Sequence, residues 1–335
     1  MQPMSRTGTM RVAVVGATGV VGTTITSVLA ERRFRIDDYV PIATSKTSGR
    51  SVRFLDRDWL VREAADVDFD GIDVCFFTAG AKVSLSLIPK ALEAGCRVVD
   101  NTTAYRMDPE VPLVVPEING ALVSEETTLI SCPNCTTINL VMALAPILRE
   151  VEIKRVVVTS LQSVSGAGRE AIEELDTQSR AQLDGEPPTS SVFPTTIAFN
   201  CIPVVGNIEE SGYTGEEQKI IEETKKILDA PDLGVVPTAV RVPVHVGHAL
   251  SVNMETAEQL RLDKIKKLWR NAPGVIFDDG LPTPRDIAGR DEVFVARLRN
   301  DPTRPTAVNF WVVGDNLRKG AATNSVQIAE LWQAV

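Results

Sequence analysis

Apolar and polar positions change their spacing about a third of the way along the chain. Before that point, short apolar runs alternate with helical patterns. Met10–Val15 (MRVAVV) is short, apolar and β-branched, which predicts a buried strand. A helix is predicted over Thr23–Glu31, with Ile25, Val28 and Leu29 on one face. Further strands are predicted at Tyr39–Ala43, Val74–Thr78 and Arg97–Asp100, with a helix over Ser84–Ala94 that Gly95 closes. Strands alternating with helices imply right-handed βαβ units and a parallel sheet.

Beyond residue 132 the pattern differs. Thr136–Arg149 reads as a helix carrying Ile138, Val141, Met142, Ala145 and Leu148 on one face, and Ile153–Ser160 as a strand. Ser190–Pro203 is interrupted by proline and predicted irregular. Glu216–Leu228 is acidic at its start and basic at its end, which suits a helix dipole. Pro237–Pro243, Ala249–Glu255, Glu292–Leu298 and Thr306–Val313 fit strands of a mostly antiparallel sheet. A helix over Lys319–Gln333 follows. No repeat or low-complexity linker separates the two patterns, so two packed domains are expected.

Composition narrows the class. The 335 residues suit two domains of ordinary size, and 44% hydrophobic with 24% charged residues is the balance of a globular protein. A net charge of −9 argues against general nucleic-acid binding. No apolar run is long enough to span a bilayer. The polar opening MQPMSRTGTM gives no expectation of a signal peptide. Cys75, Cys96 and Cys201 lie in apolar stretches and read as buried free thiols of a reducing compartment. His245 and His248 are the only histidines, so no metal site is expected.

Two stretches carry candidate chemistry. GATGVVG follows the first strand and opens a helix, the setting a dinucleotide loop requires, although its spacing is G-x-x-G-x-x-G. Gly16 permits the turn, Gly19 lets a pyrophosphate approach the helix end, and Gly22 lets helix pack on strand. Thr18, Val20 and Val21 complete this cofactor-binding candidate. The second strand ends in Ala43-Thr44-Ser45-Lys46-Thr47-Ser48-Gly49-Arg50, which has hydroxyls and two cations and no carboxylate. Thr44, Ser45, Lys46 and Ser48 therefore suit the 2′-phosphate of NADP better than the free ribose of NAD; the alternative is an ordinary solvated loop. The second stretch is Ser131-Cys132-Pro133-Asn134-Cys135-Thr136-Thr137. A thiol at a helix N-terminus is favoured as thiolate, and the amides there can bind an oxyanion. Cys135 is the better placed nucleophile, while Cys132 falls at a strand end. Position alone leaves catalytic and structural roles for Cys135 equally open.

An ordered series of motifs adds a resemblance. Asn101-Thr102-Thr103-Ala104-Tyr105-Arg106, Pro133-Asn134-Cys135-Thr136-Thr137, Gln162-Ser163-Val164-Ser165-Gly166-Ala167-Gly168, Arg241-Val242-Pro243 through Gly247-His248, and Asp315-Asn316-Leu317-Arg318-Lys319-Gly320-Ala321-Ala322 follow the glycine loop in turn. Together they span the chain, and the series resembles the aspartate-β-semialdehyde dehydrogenases. The resemblance implies reductive dephosphorylation of β-aspartyl phosphate with NADPH, on the route to lysine, threonine and methionine. It implies Cys135 as nucleophile, His248 as general acid/base and Gln162 as a residue orienting the acyl intermediate. Arg241 would hold the substrate carboxylate, Arg106 and Lys219 the phosphate and Glu216 the amino group, with Asn134 also at the substrate. Ser165, Gly166 and Asn316 would contact the cofactor. Ala249 follows His248 where many family members carry serine.

The resemblance also implies an architecture: a doubly wound Rossmann-type NADP-binding domain over 1–132, completed by the C-terminal segment 314–335, and an α+β catalytic and dimerisation domain over 133–313. A cytoplasmic homodimer or homotetramer is expected, with small-molecule partners and neither nucleic acid nor membrane. The alternatives are an enzyme like N-acetyl-γ-glutamyl-phosphate reductase and a non-catalytic NADP-binding regulator. The Glu216-Glu217-Gln218-Lys219 stretch and the retention of Cys135 with His248 weigh against them.

Overall fold

The computed structural model describes residues 10–334. The expectation for the polar opening falls on residues 1–9, outside the described residues. The described residues divide into two compact units, one made of 10–116, 120–132 and 322–334 and the other of 117–119 and 133–321.

The first unit is built on a six-stranded parallel sheet. Its strands are β1 (Arg11–Val15), β2 (Asp38–Ala43), β5 (Arg62–Glu63), β6 (Val74–Phe77), β7 (Arg97–Asp100) and β8 (Leu129–Ser131), in the order β5-β2-β1-β6-β7-β8. A hairpin of β3 (Ser51–Phe54) and β4 (Arg57–Leu60) lies between β2 and β5 in sequence. The strand order reverses at β1, so the crevice beyond its carboxyl end is the ligand position of a doubly wound sheet. Ala13, Val15, Val40, Ile42, Cys75, Phe77 and Val98 pack with Leu87, Ile88 and Ala91 of helix α2 (Ala81–Glu93). Helix α1 (Val20–Glu31) begins three residues earlier than its apolar spacing predicts, so Val20, Val21 and Gly22 form its first turn. Arg32 holds Glu330 of α9 (Thr323–Ala334) through Nε and Nη2 at 2.8 and 2.6 Å, which ties the end of the chain to this unit.

The second unit is built on a mixed sheet in the order β10-β9-β11-β14-β13-β12. These strands are β9 (Ile153–Gln162), β10 (Gly234–Arg241), β11 (His248–Thr256), β12 (Val275–Asp278), β13 (Val293–Asn300) and β14 (Ala307–Gly314). The pairs β9–β10 and β12–β13 are parallel and the other three antiparallel. Helix α3 (Pro116–Asn119) precedes α4 (Cys135–Leu148), which is buried from Thr136 through Ile147. That burial exceeds the one-faced pattern read from the sequence because α6 (Gly215–Leu228) and α7 (Leu262–Arg270) also pack against α4. Trp269 of α7, fully buried, donates its Nε1–H to the Ala143 carbonyl at 2.8 Å.

Several elements differ from the sequence reading. Helix α5 (Arg169–Leu183), α7, β12 and the β3–β4 hairpin were not predicted. Helix α5 has a low mean hydropathy over its length and is anchored at Ala171 and Leu175, too few apolar positions to announce a helix. The closing helix is divided: a π-helical turn at Arg318–Ala322 precedes α9. Cys201 is exposed, whereas its apolar neighbours predicted a buried thiol; Ile202 turns inward instead and pairs with Arg241. Among the described residues no helix is long and apolar enough to cross a membrane.

Candidate active site

In the first unit, Gly16 takes φ +94°, a conformation L side chains rarely adopt, and its N–H donates to the Ile42 carbonyl at 2.8 Å. A Cβ at Gly22 would lie 2.9 Å from the Ala17 Cα, so a side chain there would push α1 off the loop. Gly19 is the N-cap of α1. No side chain caps it and no acidic residue occupies the first turn, which leaves the amide end of the helix open to an anion. A Cβ at Gly19 would meet only the Gly16 carbonyl oxygen, at 3.3 Å. Thr18 reaches Thr47 across 3.0 Å between hydroxyls, which brings the loop after β2 beside the glycine loop. Thr44, Ser45, Lys46 and Arg50 in that loop are exposed and Ser48 is half-buried. These residues fit the pyrophosphate and ribose portions of a dinucleotide. Arg106 also belongs to this unit. It is 8% exposed and its Nη2 donates to the Asn101 carbonyl at 2.9 Å.

The second unit gathers the remaining candidates. Asn134 is the N-cap of α4 and Cys135 its first residue. The Asn134 Oδ1 accepts from the Thr136 and Thr137 amides at 2.9 and 3.1 Å, and its Nδ2 donates to Glu216 Oε1 at 2.8 Å. Gln162 ends β9, opposite Arg241 at the end of β10, and donates to the same Glu216 oxygen at 3.1 Å. Lys219 binds the other oxygen of Glu216 at 3.1 Å. Burial pushes the Glu216 carboxyl up, but Lys219 and the donors from Asn134 and Gln162 outweigh it and hold it below the usual range.

His248 is fully buried at the start of β11. The Ser163 N–H donates to its Nδ1 at 3.1 Å, and a backbone N–H has no other role than donor. The neutral ring therefore carries its proton on Nε2, which has no hydrogen-bond partner among the described residues. Burial, and then the neighbouring Arg241 guanidinium, push its pKa down from 6.5 to about 3. Arg241 is 6% exposed and donates through Nη1 to the Ser163 carbonyl at 2.7 Å. Burial lowers its pKa, while the charges of Glu216 and Cys135 oppose that shift. A Cβ on Gly166 would come 3.1 Å from Arg241 Nη1 and 3.5 Å from His248 Nε2, so only glycine keeps the space between those groups open.

Asn316 braces the same loops. Its Oδ1 accepts from the Ser163 hydroxyl at 3.0 Å and the Gly247 amide at 2.8 Å, and its Nδ2 donates to the Ser165 hydroxyl at 3.0 Å. His245 is exposed and faces Asp176 at 2.7 Å, outside this cluster. Ser163, Glu217, Glu223 and Gly320 carry no expected role from the sequence. Ser163 lies inside the Gln162–Gly168 motif, where the resemblance implies nothing for it. Glu216, Ile220, Glu223 and Ile227 recur at helical spacing, and carboxylates interleaved with isoleucines on one face were the available signal.

Residues 11–125 match the family model described as semialdehyde dehydrogenase, NAD binding domain, and residues 144–319 match semialdehyde dehydrogenase, dimerisation domain. The chain is 45% identical over 332 residues to the aspartate-semialdehyde dehydrogenase of Legionella pneumophila, covering 97% of this chain and 96% of the relative. It is 45% identical over 330 residues to that of Aquifex aeolicus, covering 96% and 97%. The crystal structure of aspartate semialdehyde dehydrogenase II from Vibrio cholerae, complexed with ASA, superposes with a TM-score of 0.95 at 41% identity, covering 98% of this chain and 99% of that one. With this likeness extending over nearly its whole length, the chain belongs to the aspartate-semialdehyde dehydrogenase family.

Proposed function

We propose that the protein catalyses the reversible, NADPH-dependent reductive dephosphorylation of L-aspartyl-4-phosphate to L-aspartate-4-semialdehyde through a thioester on Cys135. The observation that carries this reading is the placement of Cys135 as first residue of α4, with the buried cluster of Glu216, Arg241 and His248 assembled in the same unit. The dipole of α4 favours negative charge on the sulfur. The Cys135 sulfur attacks the acyl carbon, a C–S bond forms, and the bond from carbon to the phosphate oxygen breaks. Arg106 and Lys219 would hold the departing phosphate, Arg241 the α-carboxylate, Glu216 the ammonium, and Asn134 and Gln162 the acyl group. NADPH, when bound, supplies the hydride that reduces the thioester. His248, expected as general acid/base, is kept neutral by burial, and in this reading it donates a hydrogen bond from Nε2 to the oxyanion that hydride addition creates. The C–S bond then breaks, the electron pair returns to the Cys135 sulfur, and the aldehyde leaves.

The first unit would serve as the NADP-binding domain through Gly16, Thr18, Gly19, Val20, Val21, Gly22, Thr44, Ser45, Lys46 and Ser48. Ser165, Gly166 and Asn316 would border the nicotinamide portion. The lack of a carboxylate in 44–50, with Lys46 exposed there, supports NADP over NAD. Residues 144–319 would form the homodimer contact, supported by the matching dimerisation domain. The setting is cytoplasmic synthesis of lysine, threonine and methionine. The decisive experiment measures phosphate-dependent reduction of NADP by aspartate semialdehyde. Wild type turns over, and Cys135→Ser loses at least about a thousandfold in kcat. Near-normal turnover in Cys135→Ser would exclude the thioester route.

A further inference from the structure

Helix α6 presents buried carboxylates at Glu216, Glu217 and Glu223. Glu217 has a structural task. It completes the capping box with Thr214, and its Oε1 accepts the Ala239 amide at 2.8 Å, which fixes α6 to β10. Glu223 lies two helical turns beyond Glu216, on the same face, and is 1% exposed. Its Oε2 accepts the backbone N–H of Asn134 at 2.6 Å.

That bond completes the fixation of Asn134. Its backbone carbonyl accepts the Ile138 amide at 2.9 Å, its Oδ1 takes two amides of the first turn, and its Nδ2 is held by Glu216. Pro133 precedes it and restricts the backbone on that side. Cys135 follows directly. A Cβ at Gly320 would approach the Cys135 Cβ to 2.9 Å and its Cα to 3.3 Å, so the π-helical turn packs closely on the cysteine. Glu223 therefore holds the Pro133–Asn134 amide, one residue before the cysteine, and Gly320 packs on Cys135 itself.

The geometry points to Glu223 as a positioning residue for the Cys135 nucleophile, acting through the Asn134 N–H. The inference rests on the thioester reading. Without this acceptor the Asn134 N–H would be a buried donor with no carboxylate to meet it, and the turn would shift to satisfy it. The sulfur would move with the turn. Glutamine keeps an acceptor oxygen at the same reach, so the charge itself is dispensable and the acceptor is not.

The test compares Glu223→Ala and Glu223→Gln in the full chain. Two readouts are taken: steady-state kinetics, and the pH profile of Cys135 alkylation by iodoacetamide, followed on the Cys135 peptide by mass spectrometry so that exposed Cys201 does not interfere. Glu223→Ala is expected to lower kcat about tenfold with KM within about twofold, and to displace the alkylation profile. Glu223→Gln is expected to stay within about threefold of wild type in kcat. Unchanged kcat and alkylation profile in Glu223→Ala would overturn the inference, as would an equal loss in both variants. If Glu223→Ala does not fold, Glu223→Asp, which withdraws the acceptor by one methylene, takes its place: a loss of about tenfold in kcat with a displaced alkylation profile supports the inference, and wild-type values overturn it. Alkylation needs neither substrate nor cofactor. A wild type that alkylates normally but fails to reduce NADP would therefore sink the functional reading, and the alkylation comparison would still judge Glu223.

Discussion

The backbone amide of Ser163 donates to Nδ1 of His248 at 3.1 Å, with the Ser163 hydroxyl also 3.1 Å from that nitrogen, and because an amide can only donate, it places the ring proton on Nε2. Nitrogen-15 spectra at pH 7 should show the Nε2–H tautomer. Ser163→Ala keeps the amide and should keep the tautomer. Ser163→Pro removes the donor at a φ of −65°, which proline accepts, and should lose roughly a hundredfold in kcat. An Nδ1–H signal in wild type would contradict the assignment.

Stability should fall in mild acid. The unfolded chain takes up a proton at His248 near pH 6.5, while in the folded state burial delays uptake until about 3. Between those values the unfolded state binds more protons, so folding weakens as pH falls, by up to about 1.4 kcal/mol per unit. Urea midpoints at pH 7 and pH 5 measure the slope. His248→Gln should flatten it; an unchanged slope would show that other groups dominate.

Gly166→Ala should damage catalysis more than folding. Its added methyl would sit 3.1 Å from Arg241 Nη1 and 3.5 Å from His248 Nε2, a tight fit that costs little if the backbone yields. The expected result is a loss of about tenfold or more in kcat/KM with a melting temperature within a few degrees of wild type. A fully active, destabilised variant would assign Gly166 to packing alone.

Lys46→Glu should shift the cofactor preference. Lys46 is exposed on the loop that Thr47 joins to Thr18, so the substitution leaves the fold intact. A carboxylate there would repel a 2′-phosphate and suit a ribose hydroxyl. The ratio of kcat/KM for NADPH over NADH should drop by about tenfold or more. An unchanged ratio would remove Lys46 from the phosphate site.

The strands carried by apolar runs were legible, because a buried strand must be apolar wherever it lies. Val74–Phe77 and Arg97–Asp100 fall where their residues predicted. The glycine loop was legible for a related reason: Gly16 and Gly22 answer local demands of turn and packing. Helix α5 was not, since a polar helix lying on a small apolar cluster leaves few marks in its own sequence. The exposure of Cys201 was not either. Its neighbours are apolar, but which of them turns inward depends on Ile202 pairing with Arg241, far along the chain.

The sequence by itself determined the two kinds of sheet, the loop suited to a dinucleotide, and the cysteine at the head of a helix. Each is set by residue type at short spacing. Only the tertiary structure decided what surrounds that cysteine. The Glu223 carboxylate on the Asn134 amide, the Ser163 amide on His248, and the gap that Gly166 keeps beside His248 and Arg241 join residues distant in the chain. A local pattern can place a side chain on a face. Which distant donor meets it is settled when burial leaves each polar group only the partners that packing brings within reach.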